Sequence, residues 1–360
     1  MGFDQTDHYL PSMKGLADAT RLRLVAILQS GAFNVNELVG VLGMGQSRVS
    51  RHLKILLDAG LVETRREGVR VYYRLSDDWT GNRSRANRAR APLRYLRILG
   101  HELRSELNGD QDAVERCLQK RRETANAFFK RVAPEWDAHR DQVQGPPKYA
   151  ADVAQNLGPD DTVVDLGTGT GVLLHVLSEH AKTVIGVDAS AEMLQVARRN
   201  ALERELDNVD LRLGTLEHLP VPDGVVDAMV ANMVLHHVAH PPDALNEVHR
   251  GLRPGGRFIL ADLAEHSDEA YRERLGDLWL GFARNDVEGW LEDTGFAIDE
   301  FHELSSDTGG PSVLFVSATR KRDRGASSPT TTTRKAKKKS GSKNKKKTSS
   351  RHSTPSTART

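Results

Sequence analysis

The stretch TVVDLGTGTGVLLHVLSEHAKTVIGVDAS, residues 162–190, decides the fold. The apolar pair Val163-Val164 runs into Asp165, and Gly167, Gly169 and Gly171 follow at alternate positions. Val172, Leu173, Leu174, Val176 and Leu177 then recur at helical spacing. A second apolar run, Thr183 to Val187, closes on Asp188, 21 residues after Gly167. The order is strand, glycine loop, helix, strand. It sets a tight backbone turn and two acids at the carboxyl ends of neighbouring parallel strands, where open α/β sheets bind nucleosides. The glycines take positive φ and let a ligand approach the backbone. Asp188 can accept hydrogen bonds from both hydroxyls of a ribose. No Lys-Ser/Thr follows the glycines, which disfavours a phosphate-gripping loop.

Downstream, strands and helices alternate. AEMLQVARRNALERE reads as a helix, VDLRLG (209–214) as a strand tipped by Thr215-Leu216-Glu217, and VVDAMVANM (225–233) as a strand. PPDALNEVHRGL follows as a helix and LRPGGRFILAD as a turn and strand. DVEGWLEDTG is expected to be a helix capped by Asp286, before two closing strands, FAIDEFHEL and SVLFVSATR, around Gly309-Gly310-Pro311. Strands joined by helical crossovers build a mostly parallel sheet.

The form DLGTGTG with VDAS resembles the class I S-adenosylmethionine-dependent methyltransferases. That resemblance implies a Rossmann-like α/β sheet over residues 121–319 and S-adenosylmethionine or S-adenosylhomocysteine as ligand. It places Asp165, Gly167 and Gly169 at the methionine part, Asp188 at the ribose, Ser190 and Met193 beside the adenosine, and Asn232 and Met233 beneath the sulfur. Thr215 and Leu216 fall at the adenine, but Thr215 stands where relatives usually show an acid, leaving Glu217 as the substitute. FFKRVAPEWD resembles the leading segment of such domains, with Phe129 or Trp136 over the cofactor. His236 and His237, just past the fourth strand, are the candidates for a base. Glu265, His266, Tyr271 and Trp279 are expected to wall a substrate pocket.

The first 78 residues carry a different chemistry. Asp18 can cap ATRLRLVAILQSG, and Asn36 can cap a short helix, ELVGVLG. After Gly43-Met44-Gly45, QSRVSRHLKILLDAG turns Val49, Leu53, Leu56 and Leu57 inward and polar groups outward. Two helices across a glycine turn, the second starting with short polar and basic groups, make a helix-turn-helix. In LVETRREGVRVYYRL, Val69, Val71, Tyr73 and Leu75 alternate with polar neighbours, giving a hairpin with Glu67-Gly68 at its tip. Gln46, Ser47, Ser50 and Arg51 are the candidates for base edges. Lys54, Arg65, Arg66 and Arg70 are the candidates for phosphates.

Residues 14–76 resemble the ArsR-type winged-helix repressors. The resemblance implies a homodimer on a double-stranded DNA operator. Where many members place metal-sensing thiolates, this chain reads Phe33-Asn34-Val35-Asn36, and Asn is a poor ligand for thiophilic ions. No metal site is expected.

Charge is segregated behind a formal net of +2 over 360 residues. Residues 1–108 hold 17 Lys and Arg against 11 acids, residues 109–319 hold 19 against 37, and residues 320–360 hold 15 against one. The ends suit a polyanion and the middle does not. Residues 79–120, with seven arginines between 81 and 107, are read as dimerisation and linker helices broken at Asn108-Gly109-Asp110. Residues 320–360, almost without apolar side chains, are read as a disordered basic tail. The lone Cys117 forms no intrachain disulfide and lacks an activating signature, and one thiol cannot serve arsenic methylation, which needs several. Apolar runs are too short to span a bilayer and no secretory pattern opens the chain, so a cytoplasmic protein without membrane contact is expected. The reading is a multidomain regulator: a winged helix that binds DNA, fused to a domain that binds an adenosyl effector. The alternative is an active small-molecule methyltransferase that regulates its own operon.

Overall fold

The computed structural model describes residues 6–76, 104–143, 149–305 and 309–322. The arginine-rich stretch 79–103 and the tail beyond 322 lie outside them, as do the expectations placed there of a dimerisation helix and a disordered tail.

The N-terminal part holds α1 (Thr6–Leu16), α2 (Ala19–Leu28), β1 (Phe33–Asn34), α3 (Val35–Leu42), α4 (Gln46–Asp58), β2 (Val62–Glu67) and β3 (Arg70–Leu75). Asp18 caps α2 by accepting from the Arg21 amide. The cap of α3 is Asn34, not Asn36. Its side chain accepts from Glu37 N–H while Glu37 reaches back to Asn34 N–H, a reciprocal capping box. Gly43 leaves α3 at φ 64°, the left-handed turn before α4. Val49, Leu53 and Leu56 are fully buried with Leu24, Val25, Leu38 and Phe33, whereas Leu57 is only partly buried.

The wing departs from the expected alternation. Val69 and Val71 are exposed, while Tyr72 is buried. The reason is tertiary: Tyr72 packs on Trp279 of the second domain, with ring centroids 5.2 Å apart.

Helix α5 (Arg104–Val132) runs straight through Asn108-Gly109-Asp110 and past position 120. A glycine inside a helix costs about 1 kcal/mol. Here Asp110 is buried and its carboxylate takes both nitrogens of an Arg23 fork at 2.6 Å, so packing on α2 overrides the local break signal. Next come α6 (Trp136–Val143) and α7 (Ala150–Gln155).

The second domain is a seven-stranded sheet in the order β6-β5-β4-β7-β8-β10-β9. Its strands are β4 (Thr162–Leu166), β5 (Thr183–Asp188), β6 (Val209–Leu213), β7 (Val226–Asn232), β8 (Leu252–Leu263), β9 (Phe296–Leu304) and β10 (Val313–Arg320). β4 pairs in parallel with both β5 and β7, and β10 inserts antiparallel between β8 and β9. Helices α8 (Leu174–His180), α9 (Ala191–Glu203), α10 (Pro241–Gly251), α11 (Ala270–Leu275) and α12 (Arg284–Asp293) complete it. The strand order reverses between β4 and β7, and crevices open at such a switch point. Val164, Leu166, Val187, Met229 and Leu260 fill the core on one side of the sheet, and Val163, Val184, Val230 and Phe315 on the other. Asp286 does not cap α12. Ala283 holds that position, and buried Asp286 accepts from Arg65 and Arg74 of the wing.

Candidate functional site

The crevice at the switch point is built by the opening stretch. Near the end of β4 lies buried Asp165, whose carboxylate accepts from the Thr168 hydroxyl at 2.6 Å. Gly167 and Gly169 turn with φ of 64° and 54°, a conformation disfavoured for residues with a Cβ. A Cβ on Gly167 would also collide with Val234. Asp188 at the end of β5 then clamps the loop: it accepts from Gly169 N–H at 2.9 Å and from Ser190 N–H at 2.8 Å. Ser190 in turn caps α9 through the Met193 amide. The turn, the acid and the helix start are thus one hydrogen-bonded unit.

Asp165, Gly167, Gly169, Asp188, Ser190, Met193, Thr215, Leu216, Asn232, His236 and His237 all line one cavity. Glu217, Phe129 and Trp136 reach the same wall. Asn232 is oriented by the Tyr149 hydroxyl, which donates to its Oδ1 at 2.6 Å. Burial lifts the Asp165 carboxyl to about 7, the Thr168 hydroxyl opposing that rise and Asp188 adding to it. Burial also raises Asp188, opposed by the backbone N–H groups it accepts from. One buried and one partly buried acid in a single cavity make it a place for a cation or for ligand hydroxyls.

His236 and His237 differ in environment. The buried His236 donates from Nδ1 to Asp262 at 2.5 Å, and Asp262 is fixed by the Leu235 and Leu263 amides at 2.8 Å each. Burial opposes charge on His236, but Asp262 and Asp277 outweigh it and lift its pKa to about 9. Burial and the neighbouring His236 hold His237 well below the ordinary imidazole range.

The four residues expected around a substrate do not line this cavity. Glu265 pairs with Arg65 at 3.3 Å, and His266 meets edge-on the ring of Tyr271, which packs with Leu263, Leu275 and Leu280. Trp279 donates from its indole to Val238 O at 2.7 Å and faces Tyr72 of the wing. Glu265 and Trp279 are drawn instead to the wing, through Arg65 and Tyr72, which no local sequence pattern announced.

At the other end, α4 presents Gln46, Ser47, Arg51 and Lys54 exposed, with Ser50 partly so. Arg66 and Arg70 of the hairpin are exposed as well. Arg65 is not: it pairs with Glu67 of the same hairpin and reaches into the second domain, on Glu265, Asp286 and the Gly281 carbonyl. A guanidinium spent on three carboxylates is not available to a phosphate. The signal sequence reasoning missed was α5. Arg122, Ala125 and Asn126 line the cavity, and Val114 and Leu118 of the same helix join the winged-helix core.

Comparison with known proteins finds a matching family model for a segment of each domain. Residues 18–64 match the model of the bacterial regulatory protein arsR family, and residues 164–260 match that of the methyltransferase domain. The chain is similar to an arsenite methyltransferase of Halobacterium salinarum, at 36% identity over 34% of this chain and 31% of that protein. It is similar to a demethylmenaquinone methyltransferase of Symbiobacterium thermophilum, at 32% identity over 46% of this chain and 68% of that protein. The chain spans about a third of the first relative's length. Among solved structures, the YcgJ protein of Bacillus subtilis aligns with a TM-score of 0.41 at 20% identity, covering 48% of this chain and 98% of that one. No helix among the described residues is long and apolar enough to cross a membrane.

Proposed function

We propose, for a chain that belongs to the methyltransferase-domain family and carries an arsR-family regulatory domain ahead of it, that it is a DNA-binding regulator, a homodimeric repressor, whose second domain binds S-adenosylmethionine or S-adenosylhomocysteine as effector. One observation carries the reading: the wall of the cavity is also the support of the winged helix. Arg122, Ala125, Asn126 and Phe129 of α5 line the cavity. Arg121, which directly precedes Arg122, bonds Glu37 at 2.8 Å and the Ala32 carbonyl at 3.0 Å in the winged helix, and the Ala239 carbonyl of the cavity wall at 3.3 Å. A ligand that reshapes the wall acts on the DNA-binding element through the same helix. The adenosyl contacts are those of Asp165, Gly167, Gly169, Asp188, Ser190, Met193, Thr215, Leu216 and Asn232, and the DNA contacts those of Gln46, Ser47, Ser50, Arg51, Lys54, Arg66 and Arg70. The two ligands differ by a methyl group and a positive sulfonium, and Asp165 and Asp188 give the cavity the charge to tell them apart. A ligand shifts DNA affinity only by its differential affinity for the two states of the protein.

The test titrates each adenosyl ligand into the full chain together with a duplex selected by the protein from a random pool. One ligand is expected to bind more tightly and to change DNA affinity several-fold. Equal binding of both, with no change in DNA affinity, sinks the sensor reading.

A second reading is methyl transfer to a small molecule. It is favoured by the extent of the cavity past Asn232 to Phe129, Trp136, His236 and His237, beyond the residues assigned to the adenosyl ligand. Arsenite does not suit it, because the single Cys117 is held near 11 by burial and nearby Glu37 and lies outside the cavity. Purified chain that demethylates S-adenosylmethionine in the presence of an acceptor panel would favour this reading; none doing so would remove it.

A further inference from the structure

Behind the cavity, three side chains from two segments converge. His236 and His237 come from the short turn after β7, and Asp277 from the loop after α11. His236 Nε2 lies 3.7 Å, and His237 Nδ1 4.0 Å, from Asp277 Oδ1. The three ligand atoms all lie within 4.8 Å of one another. Asp277 is 4% exposed, yet neither of its oxygens accepts a hydrogen bond, and His237 Nδ1 has no hydrogen-bond partner either. Leaving such buried atoms unsatisfied costs about 1–3 kcal/mol each, so three orphans facing one point call for an occupant.

The histidines are prepared for one. The other nitrogen of His236 is tied to Asp262, itself fixed by two backbone amides, and the His237 ring is held edge-on against Phe129, centroids 4.6 Å apart. A ligating histidine held from behind by a carboxylate or a backbone group is the usual support of a metal site. We infer that His236, His237 and Asp277 form a binding site for a borderline divalent transition cation, with zinc as its best representative. Two imidazoles and one carboxylate match that class and not calcium or magnesium, which take oxygen ligands. Bonds of about 2.0–2.1 Å in a tetrahedron set ligand atoms roughly 3.4 Å apart, so the trio closes by between a few tenths of an ångström and about 1.4 Å on binding. Three protein ligands leave a fourth position for water or for a group entering from the cavity, which both histidines line. The site is independent of the adenosyl reading and of the arsR-type sensing positions.

The test is zinc binding to chelator-stripped full-length chain, measured calorimetrically against a competing chelator, alongside Asp277→Asn and His237→Gln. Circular dichroism checks that each variant is folded. One tight equivalent is expected in the unsubstituted chain, weakened at least 100-fold in either folded variant. X-ray absorption of the zinc-loaded unsubstituted chain, which requires no variant, is expected to show two imidazole nitrogens and a carboxylate oxygen. Absence of a tight equivalent, retention of it in a folded variant, or a zinc shell with fewer than two imidazoles would overturn the assignment.

Discussion

Glu67 of the wing meets Arg272 of the second domain at 2.8 Å, and the carboxylate is completely buried. A wing tip in a free winged helix would place such an acid in water. Here it also takes Arg65 at 3.1 Å, so one buried anion joins two guanidinium groups across the domain junction.

Removing that anion takes a buried partner from both guanidinium groups, leaving Arg272 with Glu269 and Arg65 with Glu265 and Asp286. Breaking a buried pair by deleting one partner costs about 3–5 kcal/mol, more than the pair itself contributes. Glu67→Gln keeps the shape and removes the charge, so urea denaturation of the variant should show a stability loss of that order. A loss below about 1 kcal/mol would mean that the wing is not seated as described.

The same seating separates the wing arginines by role. Arg66 and Arg70 are exposed, as is Lys54 on α4, whereas Arg65 is occupied by carboxylates. Each phosphate contact adds close to one unit to the slope of log affinity against log salt. Lys54→Ala and Arg66→Ala should each flatten that slope by about one unit per protomer, about two for the homodimer, while Arg65→Ala should leave it unchanged and lower stability. Fluorescence anisotropy with a labelled duplex across a salt series measures all three.

These contrasts show where the sequence was legible. The glycine loop, the acids at the strand ends and the inward face of α4 are local patterns, and each is found where its period and spacing put it. The inversion at Tyr72, the continuous helix through Gly109 and the burial of Asp286 are not local. Each is decided by a partner more than 80 residues away in the chain: Trp279 for Tyr72, Arg23 for Asp110, and Arg65 and Arg74 for Asp286. Alternation and capping preferences carry about 1 kcal/mol apiece, less than a buried charge needs in order to find its partner. His236 and His237 were visible as a pair in the sequence. Asp277, about 40 positions on, was not, because only the fold brings it beside them.

Under the proposed reading, Asp165 should make binding of the adenosyl ligand depend on pH. Burial raises its folded pKa to about 7 from 3.8. The folded protein therefore holds this proton more tightly than the unfolded chain, and stability from this group falls as pH rises from about 4 to about 7. A ligand bearing an ammonium or sulfonium prefers the ionised carboxylate, so its affinity should rise with pH up to about 7 and then level. The limiting slope is roughly tenfold per pH unit. Calorimetry of the adenosyl ligand in buffers between about pH 5.5 and 8, with Asp165→Asn as control, should show the rise in the native chain and a flat profile in the variant. An equally steep profile in both would assign the proton elsewhere.

Arg121 joins the cavity to the wing, and its replacement should divide binding from response. Its fork takes both oxygens of Glu37, at 2.9 Å and 2.8 Å, and its guanidinium lies 5.0 Å from the Trp279 ring and 5.2 Å from that of Phe33. Trp279 N–H, in turn, donates to the carbonyl of His236 on the cavity wall at 3.0 Å. Lysine keeps the charge but loses the planar fork and the stacking. Arg121→Lys should therefore leave adenosyl affinity within about threefold of the native chain, because Arg121 itself does not line the cavity. The effect of the ligand on DNA affinity, for which coupling energies are typically about 1–3 kcal/mol, should fall by about 1 kcal/mol. Since coupling between two binding sites is reciprocal, the effect of DNA on ligand affinity must fall by the same amount. Measuring both legs of that cycle separates a lost link from a damaged site: equal losses on the two legs support transmission through α5, and loss of ligand binding alone would place Arg121 in the cavity's own structure.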